Sequence, residues 1–299
     1  MNKKNNFKYI VLAALIAFIP STASAATVYL EASRNSVSVG DTFIISAKIN
    51  SENTVINTVE GDIGFKSAAG VSVVKEFSLA GSAFGLWPRT PSLSQDEQTI
   101  SFVGGVPGGF NIEGATLFRI IVEAKKEGSI TINPQNIVAY ANDGSGTKLP
   151  VTLKNLVVNV GPKAASVQDE WSTIIASDTT PPEDFVIVLG QDNSLFDGKK
   201  FAFFSAVDNQ SGISHYDVSE SGMPAVRSGS TYVLKDQGDE AKLAVTAYDK
   251  AGNKKSAEYT GVASGISWPI IIIIVLVVVI AWFIYKKWKR SKINASPAI

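Results

Sequence analysis

Ile266 to Tyr285 runs ISWPIIIIIVLVVVIAWFIY, twenty residues without a charge. At about 1.5 Å of helical rise per residue such a stretch reaches roughly 30 Å, the thickness of a bilayer's hydrocarbon core. Trp268 stands at one end, and Trp282, Tyr285 and Trp288 stand at the other. Amphipathic rings prefer the headgroup layer at those positions. Lys286, Lys287, Lys289, Arg290 and Lys292 follow directly. Cytoplasmic flanks collect Lys and Arg, so the sequence predicts a transmembrane helix with residues 286–299 inside and everything N-terminal outside. A buried core helix is the competing reading. The length, the β-branched composition and the basic stop all favour the membrane.

The N-terminus points the same way. Lys3, Lys4 and Lys8 precede an apolar run from Tyr9 to Ile19, and Pro20 and Ala23-Ser24-Ala25 follow. That order of basic, apolar and A-x-A segments is a secretory signal peptide over residues 1–25. Between signal and tail, residues 26–285 carry 19 basic against 27 acidic side chains, a net charge of −8 that the balanced whole-chain count hides. An acidic exterior argues against nucleic acid as a partner. The chain has no cysteine, so neither disulfides nor thiol chemistry operate in it. The length outside the membrane suggests two domains, each with its own core.

Residues 26–160 read as strands throughout. Short β-branched or aromatic runs are predicted at 27–32, 42–49, 59–65, 71–77, 99–103, 116–124, 129–132 and 156–160, separated by Gly, Asn and Asp turn signals. Val59, Ile63 and Phe65 alternate with Thr58, Glu60 and Asp62; Phe118, Ile120 and Val122 alternate with Arg119 and Glu123. No stretch before the anchor shows a 3.6-residue period. The expected class is all-β, an antiparallel sandwich or barrel. Gly104-Gly105 and Gly108-Gly109 around Pro107 read as a shaped connection between strands, not a phosphate cradle, since no Lys-Ser/Thr follows.

SVSVGDTFIISAKIN, INTVEGDIGFK, the Trp87-Pro88 segment, ISFVGGVPGGFNIEGATLFRIIVEAKKEGSITI and IVAYANDGSGT occur in that order. Together they resemble a bacterial cohesin domain, matched over residues 27–160 of the domain expected at 26–160. The resemblance implies a nine-stranded jelly-roll sandwich, one face of which binds a dockerin, a small calcium-loaded helical module on a partner protein. It would place the strand Val59 to Phe65 on the binding face, with Thr58, Glu60 and Asp62 outward. Acceptor side chains there suit donors on a docking helix. Trp87, near Phe84 and Pro88, would add an apolar rim or a sugar-stacking platform, or else close the end of a core.

Residues 161–182 mix small, polar and proline residues and read as a linker, with Trp171, Ile174 and Ile175 apolar enough to pack on a neighbour. Strand patterns resume over residues 183–262. Asp178 to Pro182 (D-T-T-P-P), Asp208 to Tyr216 (D-x-x-S-G-I-x-x-Y) and Ala247 to Asn253 (A-Y-D-x-A-G-N) resemble bacterial immunoglobulin-like modules. That resemblance implies a stalk holding the first domain off the membrane. Asp208 and Asp249 could offer oxygens to calcium. Strand-end Asp is foremost a turn residue, so no metal site is assigned and no cofactor is expected.

His215 is the single histidine, and no G-x-S-x-G accompanies it. The sequence therefore reads as a binding protein and not an enzyme. The expected whole is a single-pass surface protein that docks a dockerin-bearing partner, by resemblance in polysaccharide breakdown. A carbohydrate-binding or adhesive module that takes polysaccharide directly is the alternative.

Overall fold

The computed structural model describes residues 26–67, 70–238 and 241–260. The expected signal peptide and transmembrane helix lie outside the described residues. Within them, no helix is long and apolar enough to cross a membrane.

The first unit is built from β1 (Ala26–Ala32), β2 (Ser36–Ser38), β3 (Thr42–Asn50), β4 (Ile56–Ser67), β5 (Ser72–Ser78), β6 (Leu86–Leu93), β7 (Thr99–Phe110), β8 (Ala115–Ala124), β9 (Gly128–Ala141), β10 (Lys148–Leu149), β11 (Val151–Lys154) and β12 (Leu156–Gly161). One sheet has the order β11-β1-β3-β8-β5. The other runs β2-β12-β9-β4-β7-β6, with β10 also on β9. The expected sandwich is present, but it is not purely antiparallel. The first and last runs of chain each break and change sheets, so that β11 lies parallel to β1 and β12 parallel to β2. Counting β1 with β2, and β10 with β11 and β12, as single runs leaves nine.

The two inner faces close on a core that includes Phe43, Ile45, Ile49, Val59, Ile63, Phe102, Leu117, Phe118, Ile120 and Val122. Alternation holds on β4, where Val59, Ile63 and Phe65 are buried. It is broken on β8, where Ile121 is buried as fully as its inward neighbours. The cause is a helix, α1 (Glu170–Ser177), laid across the outer face: Trp171 packs on Ile44 and Ile121, with Ile174 and Ile175 beside it. The linker thus contains a helix that leaves no periodic sign in the sequence, because two turns are too short for an apolar period. Its start was marked locally, since Asp169 caps it by accepting from the Ser172 backbone N–H.

Two strand boundaries also depart from expectation. β6 crosses Pro88 and Pro91, which is tolerated because it is an edge strand with irregular register against β7. β7 continues from Thr99 through both glycine pairs to Phe110, so the expected connection is strand. Within β7, positive φ is confined to Gly108 and Gly109. Gly104 is required instead by crowding: a Cβ there would lie 2.5 Å from the Phe84 ring and 2.9 Å from Trp87.

The second unit comprises β13 (Ile187–Gln191), β14 (Lys200–Phe204), β15 (Ile213–Glu220), β16 (Val226–Ser228), β17 (Thr231–Val233), β18 (Lys242–Asp249) and β19 (Lys254–Thr260). A sheet β13-β14-β17 faces a sheet β16-β15-β18-β19. Between them lie Phe204, Tyr216, Val218, Leu243 and Val245. The two units touch through Glu76 on β5, which accepts from both the Trp171 Nε1–H and Lys250 Nζ. Lys250 sits 5.0 Å over the Trp171 ring. Arg119 reaches the Gln210 carbonyl at 3.3 Å and the Gly81 N–H donates to the Asp208 carbonyl at 3.2 Å.

Candidate functional site

β4 lies inside the larger sheet, between β9 and β7, and projects Thr58, Glu60 and Asp62 from the outer face. All three are half-buried by neighbouring side chains. The Glu60 carboxylate accepts from the Tyr140 hydroxyl at 2.6 Å. Asp62 accepts from the Ser101 hydroxyl at 2.7 Å and from Asn136 Nδ2 at 3.0 Å. A bulge in β9 makes the second contact possible: Glu60 stands opposite Val138 and Asp62 opposite Gln135, with Asn136 in the left-handed region at φ 55°. Gly61 faces this bulge, where a Cβ would lie 2.8 Å from the Ile137 backbone. The hydrogen bond to Glu60, then burial, raises the Tyr140 phenol above its ordinary value, so the hydroxyl stays a neutral donor there. The face is therefore polar, acceptor-rich and held in fixed rotamers.

Trp87 is not part of that face. It turns into the sandwich, edge-on to Phe84 with centroids 5.5 Å apart and to Phe118 at 6.3 Å. Its remaining exposed surface borders a cleft of about 790 Å³ between the two units, shared with Phe77, Pro88, Phe203 and His215. Of the four residues singled out from sequence, three are adjacent on one strand and the fourth opens on a different surface.

A second group of side chains comes together where the units meet. Asp178 follows α1, Asp208 follows β14 and Asp249 ends β18. They offer carboxylate oxygens within 4.8 Å of one another, and all three are buried. From the sequence Asp208 and Asp249 are foremost turn residues that could offer oxygens, with no metal site assigned, and Asp178 carries no such sign, although each of the three quoted motifs contributes one carboxylate. Such a set of hard oxygens can take a divalent cation. Burial first, then the charges of Asp178 and Asp249, raise the Asp208 carboxyl against the lowering effect of the Gly212 and Gln210 N–H groups. A raised carboxyl favours the fold most below its unfolded value and loses that contribution as pH rises through the folded value. Asp208→Asn keeps an acceptor oxygen for Gly212 and removes the repulsion. In chelator at pH 7 it is expected to raise the melting temperature, checked by a thermal scan of both proteins; a fall would mean the charge itself is needed there.

His215 lies flat against Tyr248, with 4.8 Å between centroids and 6° between planes. Its Nε2 is 3.1 Å from an Arg227 nitrogen, which can only donate, so Nε2 is the acceptor. The proton then sits on Nδ1, facing Ser214 Oγ at 3.1 Å. In that tautomer the ring cannot take a proton from Ser214, and the pair does not work as nucleophile and base.

Fold and site together define a protein of two linked β-sandwiches that presents a polar sheet face and, between its units, a cluster of carboxylates. No family model matches the sequence, and no curated protein matches it. Solved structures similar to it are cohesin modules that cover about half the chain. One, from a family 33 glycoside hydrolase of Clostridium perfringens, has 12% identity over 47% of this chain and 99% of its own, with a TM-score of 0.40. A non-cellulosomal cohesin from the archaeon Archaeoglobus fulgidus has 15% identity over 46% of this chain and 91% of its own, with a TM-score of 0.37. A cohesin–dockerin complex from Clostridium thermocellum has 13% identity over 46% of this chain and 94% of its own, with a TM-score of 0.39.

Proposed function

We propose that this is a membrane-anchored surface protein whose first sandwich docks a dockerin-type module, with the second sandwich as an immunoglobulin-like spacer. The observation that carries the reading is the outer face of β4: two carboxylates, each held by a neighbouring donor, half-exposed inside the larger sheet. Preorganised acceptors cost little side-chain entropy on binding, and charge complementarity sets partner choice and encounter rate. The ordered motifs in the sequence support a dockerin as the partner, and by the same resemblance a place in polysaccharide breakdown. Export and anchoring rest on the signal-peptide and transmembrane patterns of the sequence.

The test is capture of dockerin-bearing proteins on the immobilised exported region, with and without chelator. Calcium-dependent capture is expected, because the partner's own fold needs the ion. Glu60→Arg combined with Asp62→Arg is expected to weaken capture by about 100-fold or more, since reversing charges at an interface costs several kcal/mol. Capture that survives the double variant moves the docking surface elsewhere. A second reading is direct binding of a glycan. It draws on the cleft beside Trp87, whose aromatic and polar lining suits a sugar ring. Binding to a glycan panel that persists in chelator and disappears with Trp87→Ala would favour it.

A further inference from the structure

The second sandwich has two distinct ends. Asp208, Asp249 and Lys250 mark the end that meets the first unit. At the other end, the Leu234 N–H donates to the Lys200 carbonyl at 3.0 Å, and the Glu220 carboxylate accepts from the Lys235 and Asp236 N–H groups at 3.0 and 2.6 Å. Glu220 pairs with Leu243, and Lys242 with Thr260. The β13–β14 loop, the turn after β15 and the C-terminal end of β19 are therefore neighbours. Three large apolar side chains stand exposed on these loops: Leu195 at 47%, Phe196 at 43% and Met223 at 37%. The backbone holds Phe196 at φ 51° and Asp197 at φ 56°, a left-handed pair that bulky residues rarely adopt.

Five residues, Gly261 to Gly265, separate Thr260 from Ile266. Even fully extended they reach no more than roughly 20 Å. The apolar end of the sandwich is thus tied close to the bilayer by its own chain. We propose that Leu195, Phe196 and Met223 rest in the interfacial layer of that membrane, so that the occupant of this surface is lipid. The inference builds on the anchor reading above and adds a second point of contact. Lys199, Lys235 and Lys242 are interspersed there with Asp192, Asp197 and Asp236, so the contact is apolar and not a basic patch seeking anionic headgroups. Tethering makes a weak contact sufficient, because the insertion is intramolecular. A sandwich held at its base and joined to the first unit through Glu76, Trp171 and Lys250 would present the β4 face in a fixed orientation.

The chain has no cysteine, so single labels are clean. Leu195→Cys, and separately Lys254→Cys near the opposite end, would carry a polarity-sensitive dye in the full chain. Each is reconstituted into phosphatidylcholine vesicles with a headgroup-nitroxide lipid. A side chain in the interface lies about 5–10 Å into the headgroup boundary, so the Leu195 label is expected to lose at least about half its emission while the Lys254 label keeps its own. Adding Phe196→Asn, which suits the left-handed backbone, is expected to reduce that loss without freeing the chain from vesicles. Equal, small quenching of both labels in chain that survives an alkaline carbonate wash overturns the lipid contact alone. Release of the chain by the wash overturns the anchor and the contact together.

Discussion

Phe118→Ala is expected to cost the first sandwich about 3–5 kcal/mol, the range for truncating a buried aromatic. Phe118 is fully buried on β8, and its ring meets Phe102 at 5.0 Å, Phe77 at 6.3 Å and Trp87 at 6.3 Å. Those partners belong to both sheets and to the edge strand β6. The cavity would open where three elements meet, and the surrounding rings could not all collapse into it at once. Chemical denaturation of residues 26–260 followed by the fluorescence of Trp87 and Trp171, both packed on the first sandwich, would read the change as a fall in midpoint with an unchanged slope. A loss below about 1 kcal/mol would mean that the site collapses easily, and the core would have to be centred elsewhere.

Asp41→Ala should come next in size, at about 2–4 kcal/mol, because it strips a buried carboxylate from the donors that converge on it. Asp41 is 3% exposed. Its oxygens accept from the Ser38 N–H at 3.0 Å, the Gln168 N–H at 2.9 Å and Arg34 Nη1 at 3.1 Å. One side chain thus ties β2, the start of β3 and the segment leading into α1. Burial by itself would raise this carboxyl, but the Gln168 and Ser38 amides and the Arg34 charge outweigh it and hold it below the ordinary value of 3.8. A lowered carboxyl contributes stability that is complete above its unfolded value and is lost as pH falls through the folded one. The native protein should therefore weaken on acidification below about pH 4, and Asp41→Ala should flatten that limb. Asp208, with the opposite shift, makes the protein gain stability on acidification just above that range, so the variant is best compared in an Asp208→Asn background. Unchanged acid sensitivity after both substitutions would assign it to other carboxylates.

Much of the architecture could be read from residue order. Period-two alternation on β4 and β8 reports the inner face, because a one-residue slip would put every apolar side chain into water. The all-β class and the outward position of Thr58, Glu60 and Asp62 follow from that period and from the turn residues. What escaped it was decided by neighbours remote in sequence. Ile44 and Ile121 stand at outward strand positions and are buried, since α1, about 130 and 50 residues further on, covers them. An apolar residue at an outward strand position is the one local hint that something must lie across the sheet. Pro88 and Pro91 argue against a strand, yet β6 exists because an edge needs hydrogen bonds on one side only. Trp87 carried no local sign of direction; the absence of a side chain at Gly104 makes the space it fills.

The candidate sites divide in the same way. Each motif of the second sandwich contained an aspartate with an ordinary turn role, and only the folding of that sandwich, with the segment that leads into it, brings Asp178, Asp208 and Asp249 within 4.8 Å. The apolar end formed by Leu195, Phe196 and Met223 comes from loops that meet through Glu220 and Lys200, a proximity no sequence spacing encodes. By itself, then, the sequence determined what is local and periodic: strands, inner faces, turn positions, and the signal-peptide and transmembrane patterns. The tertiary structure decided which outward positions are covered, where Trp87 points and which carboxylates converge. Burial and electrostatics act through space, and their partners stand tens to hundreds of residues apart along the chain.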